Sequence, residues 1–141
     1  MKLLLRQSLV LLTLPLLPAV VEGLYYHDKI SWTSPIAASD EVSLEEARAF
    51  AGNIIWVDAR HDDQFEQDHA PGALPLNEDH WNDLLPRVLE NWSPEKRTVV
   101  YCSSKGCGAS REVARRLREE AGLKSVYVLT GGWEAWLAAR K

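Results

Sequence analysis

The residues between 42 and 137 alternate between two hydrophobic patterns. Unbroken apolar runs occur at Ile54–Val57, Thr98–Tyr101 and Ser125–Leu129, and such runs are typical of strands buried on both faces. Between the runs, apolar residues recur at every third or fourth position, as they do along one face of a helix. This alternation predicts an α/β domain in three layers, with a mostly parallel sheet and helices on both of its faces.

Polar residues mark where several of the helices begin. Ser43 and Glu46 have the spacing of a capping box, and Asp79 is placed to cap a helix that runs to about Asn91. A further helix is predicted to begin at Ser110. The remaining helices are expected over Asp62–Asp68 and after Gly131-Gly132, and the tryptophans expected in the core are Trp56, Trp133 and Trp136.

The first 26 residues differ in composition from the rest of the chain. Lys2 and Arg6 precede an apolar run from Leu9 to Val21, which is the order found in secretory signal peptides. The cleavage site that follows this run is weak, and the apolar stretch is nearly long enough to span a bilayer. We therefore expect residues 1–26 to be either a signal peptide or an uncleaved membrane anchor.

Both alternatives place the domain outside the cytoplasm, because the positive end of such a segment stays inside. The sequence thus predicts an exported protein, located in the periplasm or on the extracytoplasmic face of the membrane. Residues 27–41 are punctuated by Ser, Thr, Pro and Asp without any period and are expected to form a linker. The domain then occupies residues 42–141.

The charge of the chain limits its partners. The net charge is −4 and the isoelectric point is about 5.6, whereas domains that bind nucleic acid are usually basic. The sequence contains no internal repeat and no Gly-rich phosphate-binding motif. We expect no nucleic-acid partner, no metal and no cofactor.

Both cysteines of the chain lie in one loop, residues 102–110. Cys102 directly follows the run Thr98–Tyr101, and α/β folds bind their ligands at the carboxyl ends of parallel strands. The loop is rich in Gly and Ser, so its N–H groups are able to surround an anion, backed by the N-terminus of the next helix. Together with the positive charge of Lys105, this loop favours the nucleophilic thiolate form of Cys102. The alternative is an inert cysteine buried at a strand end.

Four segments of the chain resemble, in order, the motifs of the rhodanese-homology family. The resemblance covers almost a hundred residues, from about Val42 to Leu137. Asp68 stands where the family's Gly-His-Ile-Pro-Gly-Ala segment has its first glycine, and His69 matches a position that is generally structural. The four segments are Trp56–Arg60, Glu66–Ala73, Val99–Cys102 and Val128–Trp136.

The resemblance implies a sulfurtransferase. Cys102 would take a sulfane sulfur from an anionic donor such as thiosulfate, hold it as a persulfide, and pass it to a thiol or cyanide. The loop would bind the donor and the persulfide, and nearby residues would brace the loop and its neighbourhood by hydrogen bonds. The implied substrate-binding residues are Ser103, Ser104, Lys105, Gly106, Cys107 and Gly108, and the implied supporting residues are Asp58, Arg60 and Ser110.

The loop departs from the usual pattern of the family. Alignment on the following helix makes it two residues longer than the usual loop, as it is in the dual-specificity phosphatases of the same fold. Those enzymes need an arginine six positions after the cysteine, where this chain has Gly108. Arg111 lies too far along the chain to be the same residue. Phosphate chemistry is therefore disfavoured, while the binding of an oxyanion is not.

The second cysteine, Cys107, leaves two interpretations open. In an exported protein, two neighbouring cysteines form a structural disulfide by default. A bridge to Cys102 would block the nucleophile, however, and would close only a tiny ring that constrains the unfolded chain little. The functional interpretation makes Cys107 a resolving thiol, which attacks a persulfide or sulfenate on Cys102 and leaves a disulfide for a reductant to open.

Three functional hypotheses follow from these observations. The first is an exported or membrane-anchored sulfurtransferase that acts through Cys102. The second is a thiol–disulfide oxidoreductase that uses Cys102 and Cys107 on the same fold. The third, a non-catalytic docking module, is disfavoured because the cysteine and its loop are present.

Overall fold

Five parallel strands form the centre of the computed structural model, which describes residues 40–104 and 108–140. The strands lie in the order β1-β5-β4-β2-β3, so that β4 is in the middle of the sheet. Tyr101, the last residue of β4, lies opposite Asp58, the last residue of β2. The strands are β1 (Glu41–Val42), β2 (Ile54–Asp58), β3 (Leu74–Pro75), β4 (Arg97–Tyr101) and β5 (Val126–Leu129).

Five helices connect and follow these strands. The capping box of the first helix is confirmed, because Glu46 N–H donates to Ser43 Oγ at 3.2 Å and Ser43 N–H donates to Glu46 Oε2 at 2.8 Å. The helices are α1 (Leu44–Arg48), α2 (Asp62–Gln67), α3 (Trp81–Asn91), α4 (Ala109–Glu119) and α5 (Gly132–Ala138).

The side chains of the sheet alternate between two buried clusters, one on each face. On one face, Val57 and Val100 pack with the inner sides of α3 and α4, and Cys102 belongs to this cluster. On the other face, Trp56 and Tyr101 pack with α1 and α5. The prediction of a parallel sheet covered by helices on both faces is therefore confirmed.

One predicted helix cap is wrong. The helix that was expected after Asp79 begins one residue later than a cap at Asp79 would give, with His80 at the N-cap position. The carboxylate of Asp79 instead contacts His61 Nδ1 at 3.0 Å, and His80 N–H donates to Asn77 Oδ1 at 2.9 Å. The helix therefore begins without a side-chain cap, and the buried Asn77 instead holds the backbone of the N-cap residue.

The predictions for the N-terminal segment fall on residues 1–39, outside the described residues. Both the signal peptide or anchor over residues 1–26 and most of the linker over residues 27–41 thus stay predictions. Within residues 40–104 and 108–140, none of the helices has the length and hydrophobicity needed to cross a membrane.

Candidate active site

Cys102 lies at the carboxyl end of the central strand β4. It is 1% exposed, and its side chain points to the same face of the sheet as Val100 and the helix α4. The hydroxyl of Ser110, in the first turn of α4, donates to Cys102 Sγ at 3.5 Å. The carbonyl oxygen of Ser104 lies 3.6 Å from the same sulfur. The sulfur is therefore held between a hydroxyl donor on the helix and a carbonyl on the loop.

In this structure Cys102 is part of a disulfide. The sequence contains one other cysteine, Cys107, which lies outside the described residues. A disulfide sulfur has no proton, so the contact with the Ser104 carbonyl becomes a hydrogen bond only when Cys102 is a thiol. The Ser110 hydroxyl can donate to the sulfur in every state, and its hydrogen bond to a charged thiolate is the strongest.

The start of α5 holds the backbone around the cysteine. Trp133 N–H donates to the carbonyl oxygen of Cys102 at 2.7 Å, and Glu134 N–H donates to that of Ser103 at 3.3 Å. Gly132 has a φ of +53°, and a Cβ atom built on it would lie 2.3 Å from the Cys102 carbonyl oxygen. Only a glycine therefore allows α5 to approach the loop closely enough to make these two hydrogen bonds.

Asp58 and Arg60 form a buried ion pair near the loop. Arg60 Nη2 lies 2.6 Å from Asp58 Oδ2, and Arg60 Nε donates to Asp58 Oδ1 at 2.9 Å. A further hydrogen bond runs from Arg60 Nη2 to the carbonyl oxygen of Asp68 at 2.7 Å. Burial alone lowers the pKa of Arg60, but the hydrogen bonds and charge of Asp58 outweigh it, so the pKa is raised and the guanidinium stays charged.

Aromatic rings connect this ion pair to the cysteine strand. The guanidinium carbon of Arg60 lies 4.6 Å from the ring centroid of Trp133 and 5.7 Å from that of Tyr101. Tyr101 precedes Cys102, and its hydroxyl accepts a hydrogen bond from Ala70 N–H at 3.1 Å. Burial raises the pKa of Tyr101, which therefore remains a neutral phenol. Arg60 thus braces the neighbours of the loop.

A small cleft borders the loop on its other side. Its volume is about 10 Å³, which is enough for about one water-sized group. Arg111 lies in the wall of this cleft and forms an ion pair with Glu41, with Arg111 Nη2 at 2.8 Å from Glu41 Oε1. The other lining residues that concern the site are Ser104, Ser110, Thr130 and Gly131.

Comparison with known proteins assigns the domain to a family. The sequence model described as the rhodanese-like domain matches residues 43–139. The chain belongs to the rhodanese-like family. The resemblance predicted from the four sequence segments is therefore confirmed.

Individual relatives agree with this assignment. The thiosulfate sulfurtransferase GlpE of Coxiella burnetii is 37% identical over 86 residues, which are 61% of this chain and 74% of the relative. The thiosulfate sulfurtransferase of Pseudomonas aeruginosa has the same fold, with a TM-score of 0.57, 23% identity, and coverage of 78% of this chain and 21% of that chain. The BH2092 protein of Bacillus halodurans superposes with a TM-score of 0.59, 21% identity, and coverage of 87% and 82%. The family and the GlpE relative support sulfurtransferase activity in general.

The structure brings together part of the site predicted for this rhodanese-like domain. Cys102, Ser104 and Ser110 are in contact through the sulfur, and Ser103 is tied to α5. Gly108 lies at the N-cap of α4 and accepts hydrogen bonds from two N–H groups of its first turn. The predicted loop residues that lie outside the described residues are Lys105, Gly106 and Cys107.

Asp58 and Arg60 make their side-chain contacts in the neighbourhood of the loop. Within residues 40–104 and 108–140, none of their side-chain hydrogen bonds reaches residues 102–104 or 108–110. They stabilise the segment around Asp68 and the ring of Trp133. Their support of the loop is therefore indirect, through the helix whose Trp133 N–H holds the Cys102 carbonyl.

Sequence reasoning missed two contributions to the site. It identified Gly132 as part of a turn and a family signature, but did not foresee its contact with the cysteine backbone. It considered Arg111 only as a phosphatase arginine, for which the spacing is wrong. The signal that could have indicated Arg111 is its position directly after Ser110, one residue beyond the hydroxyl that contacts the sulfur. The Nδ1 atom of His69 lies 2.9 Å from the Phe65 carbonyl oxygen, and this contact is structural.

Proposed function

We propose that this protein transfers a sulfane sulfur from an anionic donor such as thiosulfate to a thiol or cyanide, through a persulfide on Cys102. One observation carries the proposal: the sulfur of Cys102 lies at the carboxyl end of the central strand, with the Ser110 hydroxyl 3.5 Å away as a donor. A hydroxyl in this position stabilises a negative charge on the sulfur, both in the thiolate and in the persulfide.

The proposed reaction has two steps. In the first, the Cys102 thiolate attacks the outer sulfur of thiosulfate, a bond forms between the two sulfurs, and the sulfur–sulfur bond of thiosulfate breaks. Sulfite leaves with the electron pair, and Cys102 becomes a persulfide anion. In the second, a thiolate or cyanide attacks the outer sulfur, takes it, and returns the electron pair to Cys102 as thiolate. No net oxidation occurs and no cofactor is needed.

The loop is proposed to bind the donor. Lys105 supplies a fixed positive charge, and the N–H groups from Ser103 to Gly108 surround the anionic sulfur. The support for this part is the sequence, since residues 105–107 lie outside the described residues. Lys105→Ala is expected to raise the KM for thiosulfate, most strongly at low salt, because ions screen exposed charges. An unchanged KM at low ionic strength would leave the N–H groups as the binding element.

The disulfide on Cys102 gives a second candidate function. A disulfide blocks the attacking thiolate, so a dithiol or thiol reductant must supply two electrons before sulfur transfer begins. The same bond is the oxidised state of a thiol–disulfide oxidoreductase, in which Cys107 would be the resolving thiol. If Cys107 is the thiol that resolves the persulfide, Cys107→Ser is expected to retain the first step of sulfur transfer and to accumulate persulfide on Cys102 when no external acceptor is present.

The experiment that separates these functions measures thiocyanate formed from thiosulfate and cyanide by the reduced full-length protein. The sulfurtransferase proposal expects turnover by the wild type and none by Cys102→Ser, whose hydroxyl cannot carry a persulfide. Turnover by Cys102→Ser would remove this cysteine from the mechanism. Oxidation of a dithiol test peptide by the disulfide form of the protein, which is itself reduced to the dithiol, would favour the oxidoreductase if the reduced protein forms no thiocyanate. The absence of both activities would favour a docking module.

We also propose that the domain functions outside the cytoplasm, either after signal-peptide cleavage or attached to the membrane. The support is the order of Lys2, Arg6 and the apolar run Leu9–Val21. A reporter that is active only in the cytoplasm, fused after Lys141, is expected to be silent. Reporter activity would mean that the segment is not a targeting signal or that the topology is inverted.

A further inference from the structure

Arg111 has a hydrogen-bonding group that is buried and unused. Its Nε atom is inaccessible to water and has no hydrogen-bond partner among the described residues. Its Nη2 is paired with Glu41 at 2.8 Å, and the two side chains are 30% and 29% exposed. A guanidinium has five donors in a planar fork, and leaving one of them dry and unpaired is costly. An anion that accepts from this donor would remove that cost.

The cleft beside Arg111 shares two residues with the surroundings of the cysteine. Its wall contains Ser104 and Ser110, whose oxygens lie 3.6 and 3.5 Å from Cys102 Sγ. These two residues therefore lie beside both the cleft and the sulfur. The cavity volume of about 10 Å³ suits one oxygen atom rather than a complete ion.

We propose that Arg111 binds a terminal oxygen of the anionic sulfur donor, and so selects donors that carry an S–O group over donors without one. The inference rests on the proposed function and deepens it. The outer sulfur of the donor faces Cys102, one oxygen enters the cleft, and the Arg111 guanidinium donates to it. Arg111 is one residue after Ser110, so one turn of α4 provides donors to both the sulfur and the oxygen.

Glu41 sets the strength of this binding. Its carboxylate lines the same cleft and holds Arg111 Nη2, which orients the guanidinium but also repels an incoming anion. Glu41→Gln keeps an oxygen that accepts from Nη2 and removes the negative charge. It is therefore expected to bind the donor more tightly, whereas Arg111→Gln is expected to bind it more weakly.

The two substitutions would behave differently if the ion pair had only a structural role. If the pair only joined β1 to α4, both substitutions would weaken the same connection and change the binding of the donor in the same direction. The chain offers a matched control, because Arg118 on α4 forms an ion pair with Asp40 at 3.2 Å and also joins this helix to the segment at β1. Arg118 also donates to the carbonyl oxygen of Val126 but does not line the cleft. Arg118→Gln therefore tests the loss of structural contacts of α4 without a change in the cleft.

The experiment measures thiosulfate binding by calorimetry to full-length, reduced protein that carries Cys102→Ser, so that no turnover is required. Arg111→Gln is expected to weaken binding at least about tenfold, as for the loss of one charge-assisted hydrogen bond. Glu41→Gln is expected to strengthen binding, Arg111→Lys to restore it in part, and Arg118→Gln to leave it unchanged. In the active protein, which retains Cys102, Arg111→Gln is expected to raise the KM for thiosulfate more than it lowers kcat.

Equal effects of Arg111→Gln and Arg118→Gln, or shifts of Arg111→Gln and Glu41→Gln in the same direction, would overturn the assignment. The outcome is separable from that of the proposed function. Thiosulfate binding that depends on Arg111, without any sulfur transfer by the wild type, would retain the oxygen site and reject the sulfurtransferase. Sulfur transfer by the wild type, with thiosulfate binding unchanged in Arg111→Gln, would retain the sulfurtransferase and reject the oxygen site.

Discussion

Two arginines lie near the cysteine loop, and their surroundings differ. The side chain of Arg60 is 5% exposed, is paired with a carboxylate that is fully buried, and lies against the ring of Trp133. The side chain of Arg111 is 30% exposed, holds Glu41 through one nitrogen, and leaves a buried Nε without a partner among the described residues. Among those residues, Arg60 has no buried donor without a partner, whereas Arg111 has one.

The difference separates support from recognition. A buried ion pair without an unpartnered donor does not provide a hydrogen bond for a substrate. Removing one partner mainly affects folding, because the other partner remains as an unpaired charge inside the protein. A partly exposed ion pair contributes little to stability. The pair of Arg111 with Glu41 is therefore better explained by the binding of a ligand in the cleft than by stabilisation of the fold. On this reasoning Arg60 maintains the neighbourhood of the loop, while Arg111 contacts the donor. Four substitutions test the contrast, from the largest expected effect to the smallest.

The largest effect is expected from Arg60→Met. Removing the guanidinium leaves the carboxylate of Asp58 buried and unpaired, which costs about 3–5 kcal/mol of the free energy of unfolding. Thermal or denaturant unfolding of the reduced protein measures this loss. The double variant Asp58→Asn with Arg60→Met is expected to be more stable than Arg60→Met alone. Equal stability of Arg60→Met and the wild type would show that the pair is dispensable.

The next effect is expected from Gly132→Ala. A Cβ atom at this position would lie 2.3 Å from the Cys102 carbonyl oxygen, and the residue has a φ of +53°. The backbone conformation alone costs about 1–3 kcal/mol, and the clash must also displace the loop, so kcat is expected to fall. Gly72→Ala is the matched control, since Gly72 has a φ of +76° with open space around it. Equal losses of kcat in both variants would contradict a specific role of Gly132.

A smaller change of stability is expected from Arg111→Gln. The ion pair with Glu41 is partly exposed, so its loss costs within about 1 kcal/mol of the free energy of unfolding. Its expected effect lies in the KM for thiosulfate instead. Unfolding curves measured beside those of Arg60→Met provide the direct contrast between the two arginines. A stability loss as large as that of Arg60→Met would place Arg111 with the structural residues.

The smallest effect is expected from Arg140→Gln, which removes an exposed ion pair with Asp68 at 2.7 Å. The hydrogen bond from Arg140 lowers the pKa of Asp68 below its ordinary value of 3.8. A carboxyl group whose pKa is lowered in the folded state stabilises the fold at pH values above its ordinary pKa. This contribution is lost as the pH falls through the pKa of the folded state. Arg140→Gln should thus reduce Tm slightly at neutral pH. A difference that persists below the pKa of Asp68 in the folded state would assign the effect to another contact of Arg140.

The fold was largely predictable from the sequence because its signals are local. The buried runs Ile54–Val57 and Thr98–Tyr101 and the capping box at Ser43 each follow from neighbouring residues, and the structure confirms them. The cap at Asp79 was wrong because its carboxylate contacts His61 Nδ1 instead of the N–H groups of the first helical turn. Local spacing does not report a contact between side chains that are 18 positions apart.

The nucleophile of the site could be predicted from the sequence, but several contacts around it could not. Cys102 and Ser110 are close in sequence and belong to one loop, so their contact could be expected. The approach of Gly132 to the Cys102 carbonyl and the ion pair of Arg111 with Glu41 join residues that are 30 and 70 positions apart. Such contacts depend on the order of β1, β5 and β4 in the sheet, which no local pattern reports.

Mass spectrometry of the intact, reduced protein after incubation with thiosulfate tests the central claim most directly. The wild type is expected to gain the mass of one sulfur atom, and the fragment that contains Cys102 is expected to carry it. Addition of cyanide should remove the extra mass and yield thiocyanate. A wild-type mass that does not change, or an added sulfur that also occurs in Cys102→Ser, would contradict the assignment of Cys102 as the sulfur carrier.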